Sequence, residues 1–172
     1  MLRDTARLTA ALAMFVSANS AGASDVLPEP LMKAVAVKPG EMVFVDQTSI
    51  LPVGGKLQYS TMQVFEPPRT MLGASAPVSM LISVWSADCK KKIVQTTALV
   101  GAGEDDKKVL EDFRASAPRP VLETEEAHFS FACTGKLSDR FAAIPASKGF
   151  LAKAAAKRFL QRDQAQNSTP ER

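Results

Sequence analysis

Runs of apolar and β-branched residues predict a chain built mainly from β-strands. The segment 78–87 is apolar on both of its alternating faces, so it is expected to be a central strand of a sheet. Three lysines follow it and predict a turn, and the next apolar run should complete a hairpin. The segments with strand patterns are 42–45, 56–65, 78–87 and 93–100.

The segment 56–65 has apolar residues in two phases. Leu57 and Tyr59 share one face, whereas Met62 and Val64 fall on the other. This change of phase indicates either a β-bulge or a strand that is covered on both sides, and the pattern favours neither.

Prolines mark three stretches that are expected to be irregular or interrupted. Residues 24–40 contain several prolines and a glycine, and are interpreted as an irregular lead-in. Pro67 and Pro68 are expected to end the strand before them. The polar segment 104–116 precedes two further prolines and is expected to form a short helix or a turn-rich connection.

The segment 125–133 fits both a helix and a strand. Thr124 is a suitable N-cap, and Gly135 would end the helix. Glu125 and Glu126 would lie in the first turn, near the positive end of the helix dipole. Strict alternation favours a strand instead, at Ala127, Phe129, Phe131 and Cys133. We favour the helix because capping signals are present at both ends.

A second helix is predicted over about 147–162. Apolar residues recur at helical spacing, at Ala152, Ala155, Ala156, Phe159 and Leu160. The helix is also basic, through Lys148, Lys153, Lys157, Arg158 and Arg162. It could rest on an anionic membrane surface. Its apolar face is mostly alanine, however, so we favour packing of that face on the sheet with the cations in water.

The first two dozen residues have the pattern of a secretory signal peptide. The start is weakly positive, 8–16 is almost wholly apolar, and Ala21 and Ala23 form the small-residue pair that precedes a cleavage site. Residues 1–23 are therefore predicted to be removed during export. The nine-residue apolar run spans about 14 Å as a helix, half of a bilayer's hydrocarbon core, so it is not predicted to anchor the chain.

The composition suits a single exported domain, with 172 residues, 46% of them hydrophobic, and a formal net charge of +3. So small a charge does not favour nucleic-acid binding, because such proteins concentrate a strongly basic face. Cys89 and Cys133 are an even pair, which in an oxidising compartment predicts a structural disulfide. A redox-active or metal-binding pair is the alternative, but the short spacing and the further ligands of such sites are missing. No cofactor is expected.

Few residues suggest chemistry. His128, the single histidine of the sequence, is expected to be exposed or half-packed on its helix rather than beside a nucleophile, so we do not expect an enzyme. The acidic run 104–106 lacks the pattern of a calcium loop. Basic residues are the candidate partner contacts: Lys90, Lys91 and Lys92 in the turn, and Lys153, Lys157 and Arg158 on the second helix.

Several short motifs follow one another in a recognisable order. They are Phe44-Val45-Asp46, Ser49-Ile50, Gly54-Gly55, Ala87-Asp88-Cys89-Lys90 and a final helix that carries the second cysteine. In this order they resemble the surface-adhesin protein E-like domain of Gram-negative bacteria over about 41–135, which leaves 136–172 as a C-terminal extension. The resemblance implies an antiparallel sheet with a helix packed on one face, and a bridge from Cys89 at a strand end to Cys133 in that helix.

Two features differ from the founding type of that family, a lipid-anchored adhesin that binds host extracellular-matrix proteins. The cleavage region has no cysteine for lipid attachment, and the basic helix is additional. We therefore expect an α+β domain that acts as a non-enzymatic binding module of the bacterial periplasm or cell envelope and holds a protein partner. A secreted or surface-displayed adhesin is the alternative, and a homo-oligomer is compatible with the sequence.

Export can be tested by the intact mass of the protein recovered from a periplasmic extract. We expect a chain that begins at Ser24 and, upon reduction, gains the mass of two hydrogens because one disulfide opens. Full-length protein in the cytosol with both thiols reduced would contradict the prediction.

Overall fold

The computed structural model describes residues 29–142 and 146–167 and shows an α+β fold with one antiparallel sheet. The predicted signal peptide, 1–23, lies outside the described residues. The strands are β1 (Leu31–Lys38), β2 (Glu41–Asp46), β3 (Leu51–Val53), β4 (Lys56–Arg69), β5 (Val78–Asp88), β6 (Ile93–Ala102), β7 (Lys108–Asp112), β8 (Arg119–Pro120) and β9 (Ser147–Lys148). The helices are α1 (Glu126–Thr134), α2 (Asp139–Ala142) and α3 (Gly149–Asn167), and short 3-10 turns occupy Gln47–Ser49 and Glu123–Glu125.

The strand order is β7-β6-β5-β4-β2-β1-β9, with β3 paired to β4 and β8 paired to β6. The three longest strands, β4, β5 and β6, are consecutive in the chain and form the centre of the sheet. The predicted central strand and the lysine turn that follows it are both confirmed.

The centre of the sheet is buried on both faces. On one face, α1 packs with Tyr59 and Trp85. On the other face, α2 and α3 pack with Met62 and Val64. The register between β4 and β5 is continuous from Leu57 to Val64, so the two apolar phases of β4 belong to a strand that is covered on both sides.

Strand β1 occupies a stretch that we expected to be irregular. Pro30 and Pro39 flank the strand and do not interrupt it, so no proline removes an N–H from inside it. Gly40, with φ of +68°, makes the turn into β2. A Cβ at this glycine would lie 2.8 Å from the carbonyl oxygen of Glu66, so the close approach of the two backbones also requires glycine.

Two further expectations differ from the structure. The polar segment 104–116 contains β7 and no helix, because Val109 and Leu110 pack against the cluster around Phe65. Strand β4 continues past Pro67 and Pro68. Its pairing with β5 is interrupted between Val64 and Arg69, so the prolines lie where no N–H is needed for a bond to β5.

The helical interpretation of 125–133 is confirmed at α1. Gly135 ends the helix with φ of +70°, and its N–H donates to the carbonyl oxygen of Phe131 at 2.8 Å. Thr124 does not cap the helix, because it lies inside the preceding 3-10 turn. Helix α3 begins two residues later than expected and extends to Asn167.

A disulfide joins the end of β5 to the last turn of α1. Cys89 and Cys133 are 44 positions apart in the sequence, and their Cα atoms are 5.7 Å apart. The bond therefore closes a long loop of the unfolded chain, which raises the free energy of the unfolded state.

Replacing both cysteines, as Cys89→Ala/Cys133→Ala, should lower the free energy of unfolding by about 4 kcal/mol, from the loop-closure entropy of a loop of this length. Urea denaturation of the wild type and the double variant measures the difference. Equal midpoints for the two proteins would show that the loop is constrained by other contacts.

Candidate functional site

One edge of the sheet, formed by β7 and β8, is covered in part by loop residues. The N–H of Ser75 donates to the carbonyl oxygen of Val109 in β7 at 2.8 Å. The N–H of Ser116 donates to the carbonyl oxygen of Thr96 in β6, also at 2.8 Å. Cover of this kind prevents the unpaired backbone groups of an edge strand from pairing with other chains.

The opposite edge, formed by β1, is paired by another described strand only at its start. Strand β9 pairs with Leu31 and Met32, and the Lys33 ammonium donates to the carbonyl oxygen of Ala142 at 3.2 Å. Beyond Met32, no strand in the ranges 29–142 and 146–167 pairs with the outer side of β1. The open part of the edge includes residues 35–38.

A groove of about 460 Å³, which we call the β1 groove, runs along this open edge. Four consecutive residues of β1 line it: Val35, Ala36, Val37 and Lys38. A β-bulge between Ala34 and Ala36 turns both Val35 and Ala36 towards the face that α1 covers, whereas Val37 packs on the opposite face. A groove lined by residues of both faces follows the backbone edge of the strand. The second wall includes Ala127, Ser130, Lys136, Leu137, Ser138 and Phe141.

The second wall exists because the chain passes around the β1 edge from one face of the sheet to the other. Gly135 ends α1 directly before this crossing. Leu137 then packs against both core clusters, the one under α1 and the one under α3. The chain passes the edge of the sheet near Lys33. The β1 groove therefore lies beside the residues of β1 that follow Lys33.

Charged side chains lie at the rim of the β1 groove, above an apolar interior. The Lys38 ammonium donates to the carbonyl oxygen of Thr124 at 3.1 Å. Glu126 lies 3.6 Å from the Lys92 ammonium, and Lys136 is exposed. The groove therefore combines a backbone edge and space for small apolar side chains with one carboxylate, Glu126, and one exposed ammonium, Lys136.

A polar contact is buried where α1 meets the sheet. The Tyr59 hydroxyl lies 2.9 Å from Nδ1 of His128, and the centroids of the Trp85 and His128 rings are 4.9 Å apart. His128 is only 4% exposed, so the expectation of an exposed or half-packed side chain is wrong. Burial lowers the pKa of His128 to about 4 and raises the pKa of Tyr59, so both groups are neutral at pH 7.

An ion pair fixes the start of α1. Two guanidinium nitrogens of Arg119 donate to the two carboxylate oxygens of Glu125, at 2.8 and 2.6 Å. The same carboxylate accepts the N–H of Leu122 at 3.1 Å. Paired donation of this kind orients both side chains and so fixes the turn that leads into the helix.

The three lysines predicted as partner contacts in the turn are exposed. Lys91 and Lys92 lie 3.9 and 3.6 Å from the carboxylates of Asp88 and Glu126, respectively. Lys90 donates its backbone N–H to Asp88, which shapes the turn. This group lies beside the disulfide and reaches the β1 groove only through the Lys92–Glu126 pair.

The basic residues predicted on the second helix lie elsewhere. Lys153 pairs with Asp106, and the Lys157 ammonium lies 3.6 Å from Glu104, so the acidic turn between β6 and β7 neutralises both lysines. Arg158 is exposed. The structure does not bring the two groups together, because β6, ten residues or about 30 Å long, separates them.

No family model, curated protein or solved structure matches the chain. In the part of the chain that the structure describes, no helix is both long and apolar enough to cross a membrane. The same residues contain no group of three or more His, Cys, Asp or Glu side chains placed to hold a metal ion.

The depressed pKa of His128 predicts that the fold loses stability in mild acid. The unfolded chain takes up a proton near pH 6.5 and the folded chain only near pH 4, so the free energy of unfolding should fall by up to about 3 kcal/mol across that interval. Urea denaturation of the wild type and of His128→Gln at pH 7, 6, 5 and 4 measures this. The variant should lose less stability than the wild type over the same interval, and parallel losses would contradict the assignment.

Proposed function

We propose that this protein is an exported, non-enzymatic binding module of the bacterial periplasm or cell envelope. It holds an extended segment of a partner protein by strand addition along residues 35–38 of β1. The single observation that carries the proposal is that four consecutive residues of an incompletely paired edge strand line one groove.

In strand addition, hydrogen bonds to the backbone of an edge strand give affinity, and a surface beside that strand gives specificity for the side chains of the bound segment. The β1 groove offers both, because the strand forms one wall and α1 forms the other. Its volume of about 460 Å³ is within the range of small ligand sites and would hold a few residues of an extended peptide.

The lysines at this edge limit which segments can pair. Charged side chains on an edge strand discourage indiscriminate pairing. Lys136 is exposed at the β1 groove and favours an acidic residue of the incoming segment beside it. Lys38 already lies 3.8 Å from the Glu41 carboxylate, and Glu126 disfavours an acidic residue at its own part of the groove. Ala36 and Ala127 leave space for small or medium apolar side chains between the walls.

A non-enzymatic role is supported by the position of the single histidine. His128 faces Tyr59 and Trp85 in the core, and its ring is neutral at pH 7. An imidazole in that position contributes to the packing of α1 on the sheet and does not meet a ligand in the β1 groove.

We also propose that the chain is a member of the surface-adhesin protein E-like family. The antiparallel sheet, and a disulfide from a strand end to a packed helix, support that assignment. The resemblance covers about 41–135, so β1, which would carry the strand-addition site, lies before the matched region, and the basic helix lies after it.

Filling the β1 groove should weaken peptide binding. Short random peptides displayed on phage would be selected on the mature wild-type protein, and the selected sequences synthesised. Ser130→Trp places a large ring on the α1 wall, so the affinity of these peptides, measured by fluorescence anisotropy, should fall by about tenfold or more.

Ala117→Trp is the matched control, because it adds the same ring at an exposed position near the covered edge. It should bind the peptides as the wild type does, and bound peptide should slow amide hydrogen exchange at residues 36–38. Equal affinity of Ser130→Trp and the wild type, or exchange that slows elsewhere only, would contradict the proposed site.

A further inference from the structure

The outward side of α3 carries apolar residues where a surface helix usually presents polar ones. Leu151 is 52% exposed and Phe159 is 40% exposed, and Ala155 between them is also exposed. Residues four apart are neighbours on a helix, so these three form a continuous ridge about 12 Å long, which we call the outer ridge. The inward side is buried against the sheet, through Ala152, Ala156 and Leu160.

Two arginines share this outward side. At about 100° per residue, Arg158 and Arg162 both fall within about 20° of Leu151 around the helix axis. Both are exposed, and among the side chains that the structure describes no carboxylate pairs with either of them. The lysines of the same helix are different, since Lys153 and Lys157 already have carboxylate partners.

The charge of this side decides which partner fits it. The sequence has no acidic residue between Leu151 and Arg162, so this segment of a second copy offers no carboxylate to Arg158 or Arg162. A phospholipid surface instead offers phosphate beside hydrocarbon. Leucine and phenylalanine can enter the headgroup boundary there while guanidinium groups bind the phosphates.

We propose that the outer ridge of α3, with Arg158 and Arg162, docks on the surface of an anionic phospholipid bilayer. The contact is peripheral and leaves the inward side of α3 packed on the sheet, because different residues serve the two sides. It does not use the residues that line the β1 groove, which come from β1, α1, α2 and the chain between those two helices.

Vesicle flotation with the mature protein tests the proposal, using phosphatidylcholine vesicles with and without phosphatidylglycerol. Each cation near an anionic surface strengthens binding about fivefold. The double variant Arg158→Gln/Arg162→Gln should therefore lower the vesicle partition constant about thirtyfold. Leu151→Ser/Phe159→Ser should also weaken binding, and it should leave the fold intact because both residues are exposed. Lys90→Gln/Lys91→Gln removes the same charge from the hairpin turn and is the matched control.

Support requires that the wild type and the control variant float with the anionic vesicles and that both α3 variants do not. Absence of wild-type binding, or an equal loss in the control variant, would overturn the proposal. A dimer in sedimentation that disappears in Leu151→Ser/Phe159→Ser would also overturn it and would assign the ridge to a second copy. Ser130→Trp should float normally, so a failed peptide site and a failed lipid site are distinguishable.

Discussion

Helix α1 is held on the sheet at three separate points, and the shape of the β1 groove depends on that attachment. The disulfide fixes its last turn to the end of β5, and the Arg119–Glu125 pair fixes the turn before it. Between them, His128 contacts Tyr59 inside the core. A single attachment would allow the helix to pivot, whereas three define its position along its whole length. Because α1 forms one wall of the groove and β1 forms the other, these contacts set the distance between the walls.

The partly unpaired edge at β1 is a consequence of how the chain covers both faces of the sheet. Helices must reach both faces, so the chain after α1 has to pass around an edge of the sheet. It passes at β1, where Leu137 contacts the cores on both sides. A connection that crosses an edge covers it over a short length only, and β9 and Lys33 complete the cover near Met32. Over the remaining length of β1, no strand in the described ranges 29–142 and 146–167 pairs with its outer side, which is where an incoming strand would add.

Local signals in the sequence were sufficient for the centre of the fold and insufficient at its margins. The strand 78–87 was predictable because burial on both faces makes nearly every position apolar, and α1 because Gly135 supplies a helix end. Strand β1 was not predicted, because prolines close together in the sequence usually indicate an irregular segment. Pro30 and Pro39 in fact flank a run of residues that favour a strand. The burial of His128 depends on a tyrosine 69 positions away, which no local pattern reveals. The β1 groove depends likewise on strand order, which hydrophobic periodicity does not specify.

The two large helices are attached to the sheet by different forces. Helix α1 has a covalent bond and buried aromatic contacts. Helix α3 meets the sheet through Ala152, Ala156 and Leu160, of which only Leu160 removes a large apolar side chain from water. Its ion pairs with the turn at Glu104 and Asp106 reach solvent, so salt screens them. Helix α3 is therefore the more weakly held of the two, and a lipid contact on the outer ridge would add to its attachment without competing for the residues that make it.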